Sequence, residues 1–374
     1  MKHFFLRLSG LGIIAGLLFF TACKKDNNSN NNPGTSKYTV PDTYQFANAD
    51  SLTAKTYLSM IGQMEALINN ANNGNAVSST QLILMYVNSG DYFRDTTFNS
   101  NTINLNSSGQ QLKNGTVATG QVLIQAILDS IGIDSQTGLP ASNGVAGVSD
   151  LNTLLSANGI YWRQYFTKTV MGAVIGHLIT DVFLGDSLNS STNGMTAKQH
   201  AWDNAFYLWC VPGNFPANRT GVKYWGSYTS QIDSGIAKPV LNLTGINADT
   251  TLLNAFLKGR AALANNDSAT AVAQANMIIP FFETMEAAAA LHETNEAKGN
   301  LPNGAAAVCG NLSESFGFWT ALGLNPHKKI SDADYQAVLA LYGTNFYTIT
   351  PTGIQAIQDK ISSIYGWDAI KSNL

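Results

Sequence analysis

Charged side chains are scarce in this chain of 374 residues: Asp, Glu, Lys and Arg make up 12% of it, about half the usual share of roughly 25%. The formal net charge is only −3, and no basic patch is interleaved with aromatic residues. These two absences exclude an electrostatic nucleic-acid surface, so we expect no nucleic-acid partner. Asn, Ser, Thr and Gly supply the polarity instead.

Cysteine is nearly absent too. The three cysteines, Cys23, Cys210 and Cys309, form no CxxC pair and no zinc-type spacing, which excludes a zinc ribbon and a disulfide-rich scaffold. Cys210 and Cys309 could pair in an oxidising compartment or remain two buried thiols. The chain also lacks HExxH, the helical motif in which two His hold zinc and Glu acts as base, and this argues against a zinc peptidase.

The N-terminus has the pattern of a bacterial lipoprotein signal. Basic residues precede an apolar run over residues 8–20, which is shorter than the roughly 20 residues of a membrane-spanning helix. Phe-Thr-Ala-Cys then resembles a lipobox that ends at Cys23. We predict a signal peptide over residues 1–22 and lipidation of Cys23, which anchors the protein without spanning the membrane. An ordinary signal peptide or a short membrane helix with a chance Cys is the alternative.

Residues 23–37 are rich in Asn and Ser and cannot bury apolar surface, so we expect a disordered tether there. The folded domain should therefore begin at residue 38 and stand away from the bilayer. We place it in the cell envelope, anchored to the outer membrane through the lipid, facing the periplasm or the cell surface.

Beyond the tether, apolar residues recur mostly at the three- and four-residue steps of helices, and we expect an all-α domain with long irregular loops. Gly172 and Gly176, one turn apart, would allow another helix to approach closely. Residues 80–87 fit either a helix or a strand. The predicted loops cover residues 134–148 and 213–246. The predicted helices cover residues 51–70, 110–131, 150–157, 160–184, 196–209, 250–265, 268–298, 331–342 and 350–365.

The most distinctive stretch covers residues 196–209, TAKQHAWDNAFYLW. Thr196 and Gln199 fit a capping box, so we expect a helix to start there. His200 and Asp203 are three residues apart and project from one face of this helix. Buried among aromatic side chains, they must satisfy each other, bind something or carry a desolvation cost.

A later stretch, residues 309–326, resembles the first one. Asn311 and Glu314 have the spacing of His200 and Asp203, and aromatic residues follow both pairs, which suggests a degenerate two-fold repeat. A capping box formed by Asn311 and Glu314 explains the same residues as a simple helix start.

Two other histidines are candidate ligands with simpler interpretations. His177 is more simply a core side chain bonded to a backbone carbonyl than a ligand. His292 and Glu296 have a spacing that could bind a metal, with Glu283, Glu286 and Glu293 nearby, but we expect an exposed charged face there.

Six stretches together resemble a known family. From residue 38 to the C-terminus, the chain is similar to a bacterial lipoprotein family, domain of unknown function 4856, which is itself similar to the imelysin-like proteins. The resemblance implies an all-helical fold of two pseudo-symmetric halves, roughly residues 38–210 and 211–374, with a GxHxxE motif between them. The stretches are KTVMGA (168–173), QHAWDNAF (199–206), KYWGSY (223–228), KGRAAL (258–263) and NLSESFGF (311–318), besides the lipobox.

Imelysin-like proteins are implicated in iron or haem acquisition, and some were first described as metallopeptidases. Carried over to this chain, the motif's His is His200 and its Glu is Asp203, whereas its Gly aligns with Lys198 and is missing. In the second copy Glu314 is the acidic residue, and Asn311 stands where His is common. The resemblance therefore implies iron or another divalent metal at His200, Asp203 and Glu314, with Asn311 beside them.

Three hypotheses of different classes follow. The leading one is a non-catalytic, lipid-anchored envelope protein that binds a small ligand such as iron or haem between two helical halves, with an outer-membrane transport partner. In the second, the His200–Asp203 pair is a buried network in a structural or interaction protein. The third is a metal-dependent peptidase. A glycan-binding lipoprotein, with Trp225 stacked on sugar, is a further alternative, although no tetratricopeptide-like repeat supports it.

Overall fold

Helices and two small hairpins make up the computed structural model, which describes residues 38–98, 101–234 and 244–374. The predicted signal peptide, the tether and Cys23 lie outside these residues. β1 (Thr96–Phe98) pairs antiparallel with β2 (Asn101–Ile103), and β3 (Gly147–Val148) with β4 (Leu154–Leu155). The predicted all-α class is confirmed.

The α-helices of the described residues are α1 (Leu52–Asn72), α2 (Ser79–Tyr86), α3 (Leu112–Gly115), α4 (Gln121–Asp134), α5 (Trp162–Val170), α6 (Met195–Leu208), α7 (Tyr224–Ser234), α8 (Ala248–Ala264), α9 (Ser268–Gly299), α10 (Ala305–Leu324), α11 (Asp332–Tyr342) and α12 (Pro351–Tyr365).

Helix α9 is the element around which the others pack. It contacts α7, α8, α10 and α12, and every side chain from Ala287 to Leu291 is inaccessible to solvent. Since four of these five residues are alanine, neighbouring helices can lie close to its axis. The remaining core is aromatic, and the largest buried side chains include Trp202, Trp209, Trp225 and Trp319.

Helix α5 continues beyond Val170 with π-helical turns over Met171–Gly176 and Leu178–Ser187. Such turns are rare and occur often at functional sites. A Cβ atom on Gly172 would lie 2.4 Å from the Cβ of Ala321 in α10. The close helix approach predicted at this glycine is therefore confirmed.

One helix of the described residues, Trp162–Ser187, is long and apolar enough to cross a membrane, but 67% of the apolar window is buried inside the protein. Core helices share these properties, so the observation is weak evidence for a membrane span.

Several helix boundaries differ from the prediction because tertiary contacts override local preference. Residues 110–131 are not one helix: Thr116 and Val117 are extended, and the Val117 amide donates to Ala173 O at 2.8 Å. Residues 150–157 contain strand β4 instead of a helix. Leu154 N donates to Asn72 Oδ1 at 2.9 Å, which places this stretch against α1.

The two predicted caps near the candidate residues are also wrong. Helix α6 begins at Met195 with Gly194 as its N-cap, so Thr196 lies inside the first turn. Asn311 and Glu314 lie in the middle of α10, so a capping box does not account for them. Ser331 and Thr350 are the N-caps of α11 and α12. The side-chain hydroxyl of each accepts a hydrogen bond from the backbone amide three residues later in the chain.

Residues 38–374 form one compact unit, and the division into halves at residue 210 stays a prediction. Cys210 is half-buried and Cys309 is buried, and both are free thiols. Burial raises the pKa of Cys309 to about 12, which makes this thiol a poor nucleophile at neutral pH.

Candidate functional site

Asp203, the acidic residue of the first predicted pair, is buried against a cation. Arg260 Nε lies 2.7 Å from its Oδ1, and the Tyr44 hydroxyl donates to the same atom at 2.8 Å. The backbone amide of Asp50 donates to Oδ2 at 3.1 Å. The carboxylate is thus neutralised and hydrogen-bonded on both oxygens, which is the condition under which a charge can be buried.

His200 does not take part in these contacts. It is half-buried on α6, and no hydrogen bond or ion pair joins its imidazole to Asp203 in the residues described. Its backbone oxygen accepts a hydrogen bond from Asn204 Nδ2 at 2.8 Å. The predicted His200–Asp203 pair is therefore not formed, and Asp203 pairs with Arg260 instead.

Glu314 lies in a second polar group, which we call the Glu314 cluster and define as Lys168, Tyr228, Glu293, Asn311 and Glu314. Lys168 Nζ is 3.1 Å from Glu314 Oε2, and the Tyr228 hydroxyl is 2.8 Å from the same oxygen. The Tyr228 hydroxyl is also 2.9 Å from Glu293 Oε1, and Asn311 Nδ2 donates to Glu293 Oε2 at 3.1 Å. Two carboxyl groups therefore face one phenol hydroxyl.

The Tyr228 hydroxyl has a single hydrogen, so it can donate to only one of the two carboxyl groups at a time. Both contacts are hydrogen bonds when one carboxyl carries a proton. Glu314 has Lys168 as its counter-charge, and the proton therefore belongs on Glu293. Burial, with the charge of Glu314 added, raises the pKa of Glu293 well above its ordinary value.

The phenol of Tyr228 stays protonated in this setting. Burial and the two neighbouring carboxyl groups raise its pKa well above the ordinary value. The ammonium group of Lys168 also lies over the Tyr228 ring, 4.9 Å from its centroid, which favours the cation. With Glu293 protonated, the Glu314 cluster is electrically neutral, and its two carboxyl groups hold one proton between them.

The surroundings of Asp203 and Glu314 match in kind. Each carboxylate accepts a tyrosine hydroxyl at 2.8 Å and pairs with one cation, Arg260 or Lys168. They differ in access, since the Asp203 side chain is 0% exposed and that of Glu314 is 13% exposed. The edge of the Glu314 cluster is therefore open to solvent, with Gln164 Nε2 donating to Glu314 Oε1 at 2.6 Å.

The predicted metal ligands are not assembled. Asp203 is occupied by Arg260, and Glu314 by Lys168, and no contact joins these groups to each other or to His200 in the part of the chain that the structure describes. In the same part, no three His, Cys, Asp or Glu side chains are grouped so as to hold a metal ion. His200, Asp203 and Glu314 therefore do not fit a common metal centre.

Sequence reasoning missed two members of the Glu314 cluster, Lys168 and Tyr228, and grouped a third, Glu293, with His292 instead. A signal was present, because KTVMGA contributes Lys168, KYWGSY contributes Tyr228, and NLSESFGF contributes Asn311 and Glu314. Likewise QHAWDNAF and KGRAAL meet through Asp203 and Arg260. Five of the six stretches that carry the family resemblance thus meet around two ion pairs, Asp203–Arg260 and Lys168–Glu314.

The predicted exposed face around His292 is wrong. His292, Glu283, Glu286 and Glu293 are all at most 5% exposed, and only Glu296 reaches solvent. Helix α9 is surrounded by other helices, so these carboxyl groups find partners inside. Glu283, for example, accepts from the Ile330 amide at 2.9 Å.

The irregular aromatic loop predicted for residues 213–246 contains helix α7. Trp225, Tyr228 and Ile232 recur at helical spacing and face the core. Trp225 is 0% exposed and donates to Met171 O at 2.7 Å. It is therefore not available to stack on a sugar.

His177 lies within ion-pair distance of a carboxylate and, within the described residues, is not bonded to a backbone carbonyl. Its Nδ1 is 3.1 Å from Asp181 Oδ2, and His327 Nε2 is 3.2 Å from Asp181 Oδ1. Burial raises the pKa of Asp181, but the neighbouring imidazoles of His177 and His327 and the hydrogen bond from the Thr180 hydroxyl outweigh this effect, so the pKa is lowered overall. This group joins the π-helical stretch to the segment after α10.

A family model described as Domain of unknown function (DUF4856) matches residues 41–368. No curated protein matches the chain. No solved structure matches it either.

Proposed function

The chain belongs to the DUF4856 family, and we propose that it is a lipid-anchored cell-envelope protein that binds a small ligand at the Glu314 cluster. The observation that carries this proposal is the pair of carboxyl groups, Glu293 and Glu314, that share the hydroxyl of Tyr228 at 2.9 and 2.8 Å. A positively charged ligand can displace the proton of Glu293 and gain two anionic partners.

Access favours the Glu314 cluster over the ion pair of Asp203. The side chains of Lys168 and Glu314 are 10% and 13% exposed, against 2% and 0% for Arg260 and Asp203. An entering cation would compete with Lys168 for Glu314, and Glu293 becomes its second anionic partner once that carboxyl loses its proton.

Iron is the first ligand to test. Carboxylate oxygens are hard donors, and Glu293 and Glu314 bring two carboxyl groups to either side of the Tyr228 hydroxyl. In this proposal the protein takes part in iron or haem acquisition in the envelope and passes its ligand to an outer-membrane transport partner.

A structural role is the second candidate, favoured by the complete hydrogen bonding of Asp203. Buried, satisfied networks of this kind fix one arrangement of packed helices. Under this alternative the Glu314 cluster fixes the packing of α5, α7, α9 and α10. The ion pair of Asp203 and Arg260 fixes the packing of α6 and α8 in the same way.

The test is elemental analysis of the purified full chain, followed by titration with iron and with haem. We expect saturable binding near one equivalent, weakened about tenfold or more in Glu314→Gln and in Tyr228→Phe, since each removes a charged or hydrogen-bonding partner. His200→Ala is the matched control and should bind as the unmodified protein does.

Absence of saturable binding of either titrant, with lowered stability in Glu314→Gln, would contradict the ligand-binding role and support the structural one. Loss of binding in His200→Ala, with retention in Glu314→Gln, would move the site away from the Glu314 cluster.

The anchor is tested separately through Cys23. Lipid incorporation and membrane fractionation should both be lost in Cys23→Ser, because the thioether to the lipid cannot form. Ala22→Gly is the matched control, because it keeps a small residue directly before Cys23 and should leave both readouts unchanged. Lipid incorporation that persists in Cys23→Ser would contradict the predicted anchor.

A further inference from the structure

A groove of about 340 Å³ lies at the surface of the protein, lined by residues of α1, α2 and the loop that follows α2. Its volume falls within the range of small-molecule sites. The polar and aromatic residues that line it are Gln63, Asn70, Gln81, Tyr92 and Arg94.

The loop that carries Tyr92 and Arg94 is fixed at two points. Phe93 is 4% exposed, and the side-chain amide of Asn106 bonds to both its N and O, at 3.0 and 2.7 Å. The side-chain amide of Gln63 does the same for Arg94, at 2.8 Å to each backbone atom. Two amide side chains thus hold consecutive residues of the loop as a β-strand partner would.

Gly90 helps to set the direction of the loop. It has φ +86°, and a Cβ atom there would lie 2.7 Å from the Tyr92 ring. The ring therefore packs closely over a position that only glycine suits. Tyr92 remains 42% exposed, so one part of this anchored ring faces solvent.

Three polar side chains of the groove are unused. Within the described ranges, the guanidinium of Arg94 has no ion pair, and the side-chain amides of Asn70 and Gln81 have no hydrogen bond. These side chains project from α1, α2 and an anchored loop. The backbone that carries them is therefore already fixed, and ligand binding costs little backbone entropy.

We propose that this groove binds a uronic acid, either free or as a unit of an acidic glycan. The guanidinium of Arg94 pairs with the carboxylate. Each amide of Asn70 and Gln81 offers both a donor and an acceptor, which suits sugar hydroxyls that also do both. The exposed part of the Tyr92 ring covers an apolar face of the sugar ring.

Arg94 is the single cation of its loop. Exposed Asp91 and Asp95 flank it in sequence, so a carboxylate is recognised through direct pairing with Arg94 and not through a positive field around the groove. Phosphate has few hydroxyl donors, so it would leave the carbonyl oxygens of the Asn70 and Gln81 side chains without a hydrogen-bond donor.

Isothermal titration of the full chain with glucuronate and galacturonate tests the proposal, with glucose, galactose and inorganic phosphate as comparisons. We expect saturable binding of a uronate that is about tenfold or more tighter than that of the matching neutral sugar, since one charge-assisted bond is lost in the latter. Phosphate should bind more weakly than the uronate.

Variants of the two loop residues complete the test. Arg94→Gln and Tyr92→Ala should each weaken uronate binding about tenfold, whereas Tyr92→Phe keeps the ring and should bind normally. Lys258→Gln is the matched control, because it also removes one positive charge from an exposed position, on α8.

Failure of both uronates to saturate would overturn the proposal, as would phosphate binding equal to uronate binding, which denotes a simple anion site. Equal weakening in Lys258→Gln and Arg94→Gln would also overturn it, because it denotes an effect of net charge. Tyr92 and Arg94 are exposed, so the thermal unfolding midpoint of each variant should match that of the unmodified protein.

Discussion

Asp203 and Arg260 form an ion pair in the interior, with 2.7 Å between Oδ1 and Nε. The guanidinium of Arg260 also lies over the Phe46 ring, 5.0 Å from its centroid. The pair joins α6 to α8 and ties both to the segment before α1 through Tyr44 and Asp50. A residue that sequence reasoning placed in a ligand site is thus part of the internal packing.

Replacing Asp203 should therefore destabilise the protein. Asp203→Asn keeps the side-chain volume but leaves the charge of Arg260 buried without a partner, so the free energy of unfolding should fall by about 3–5 kcal/mol. Urea unfolding measures it. His200→Ala, three residues earlier on the same helix, should change the free energy by less than about 1 kcal/mol. Equal losses in the two variants would contradict a special role of the ion pair.

The stability should also depend on pH through Glu286. Burial raises the pKa of this carboxyl from 4.5 to about 8. The charge of Glu283 raises the pKa further, whereas the hydrogen bond from Asn325 lowers it. Between these two values the folded protein holds a proton that the unfolded chain has lost. The free energy of unfolding should therefore decrease as pH rises from about 5 to about 8.

Glu286→Gln isolates this effect, because glutamine has the shape of the neutral acid and does not titrate. In urea unfolding at several pH values, the decrease should be shallower than in the unmodified protein. Part of it should remain, since the raised pKa of Glu293 acts with the same sign. Asp129→Asn, on the exposed face of α4, should leave the pH dependence unaltered. An unaltered slope in Glu286→Gln would show that this carboxyl is ionised in the folded protein.

Gly259 should not tolerate a side chain. A Cβ atom there would lie 2.0 Å from Cζ2 of Trp202, and the Trp202 ring is held by a 2.9 Å hydrogen bond from its Nε1 to Phe256 O. Gly259→Ala should lower the free energy of unfolding by about 1–3 kcal/mol or more through overpacking. Gly299→Ala is the control, since no atom lies within 4 Å of its added methyl group, and it should be neutral or slightly stabilising. A thermal unfolding midpoint that is the same in both variants would argue against close packing at Trp202.

Lys168 and Glu314 should be energetically coupled. Lys168→Met leaves the carboxylate of Glu314 without its cation, and Glu314→Gln leaves the ammonium of Lys168 without its anion. The double variant removes both charges. The loss in the double variant should be smaller than the sum of the single losses by about 1–3 kcal/mol. Additive losses in a double-mutant cycle would mean that the 3.1 Å contact contributes nothing to stability.

The helical class and most long helices were predictable because their apolar residues follow the helical period. Residues 51–70 and 268–298 correspond closely to α1 and α9. Helix α7 could have been found in the same way, since Trp225, Tyr228 and Ile232 follow that period. The split at Thr116 and Val117 could not, because the Val117 amide bonds to Ala173, which is far away in sequence.

The candidate site, too, has features that the sequence predicts and others that depend on tertiary contacts. The sequence alone determined that the chain is helical, that its polar residues collect in a few distinctive stretches, and that Asn311 and Glu314 lie three residues apart. Only the tertiary structure decided the partners: Arg260 for Asp203, and Lys168, Tyr228 and Glu293 for Glu314. The reason is physical, since a spacing of three residues sets a common helix face, but charge pairing depends on which distant cation the packed helices bring within hydrogen-bonding distance.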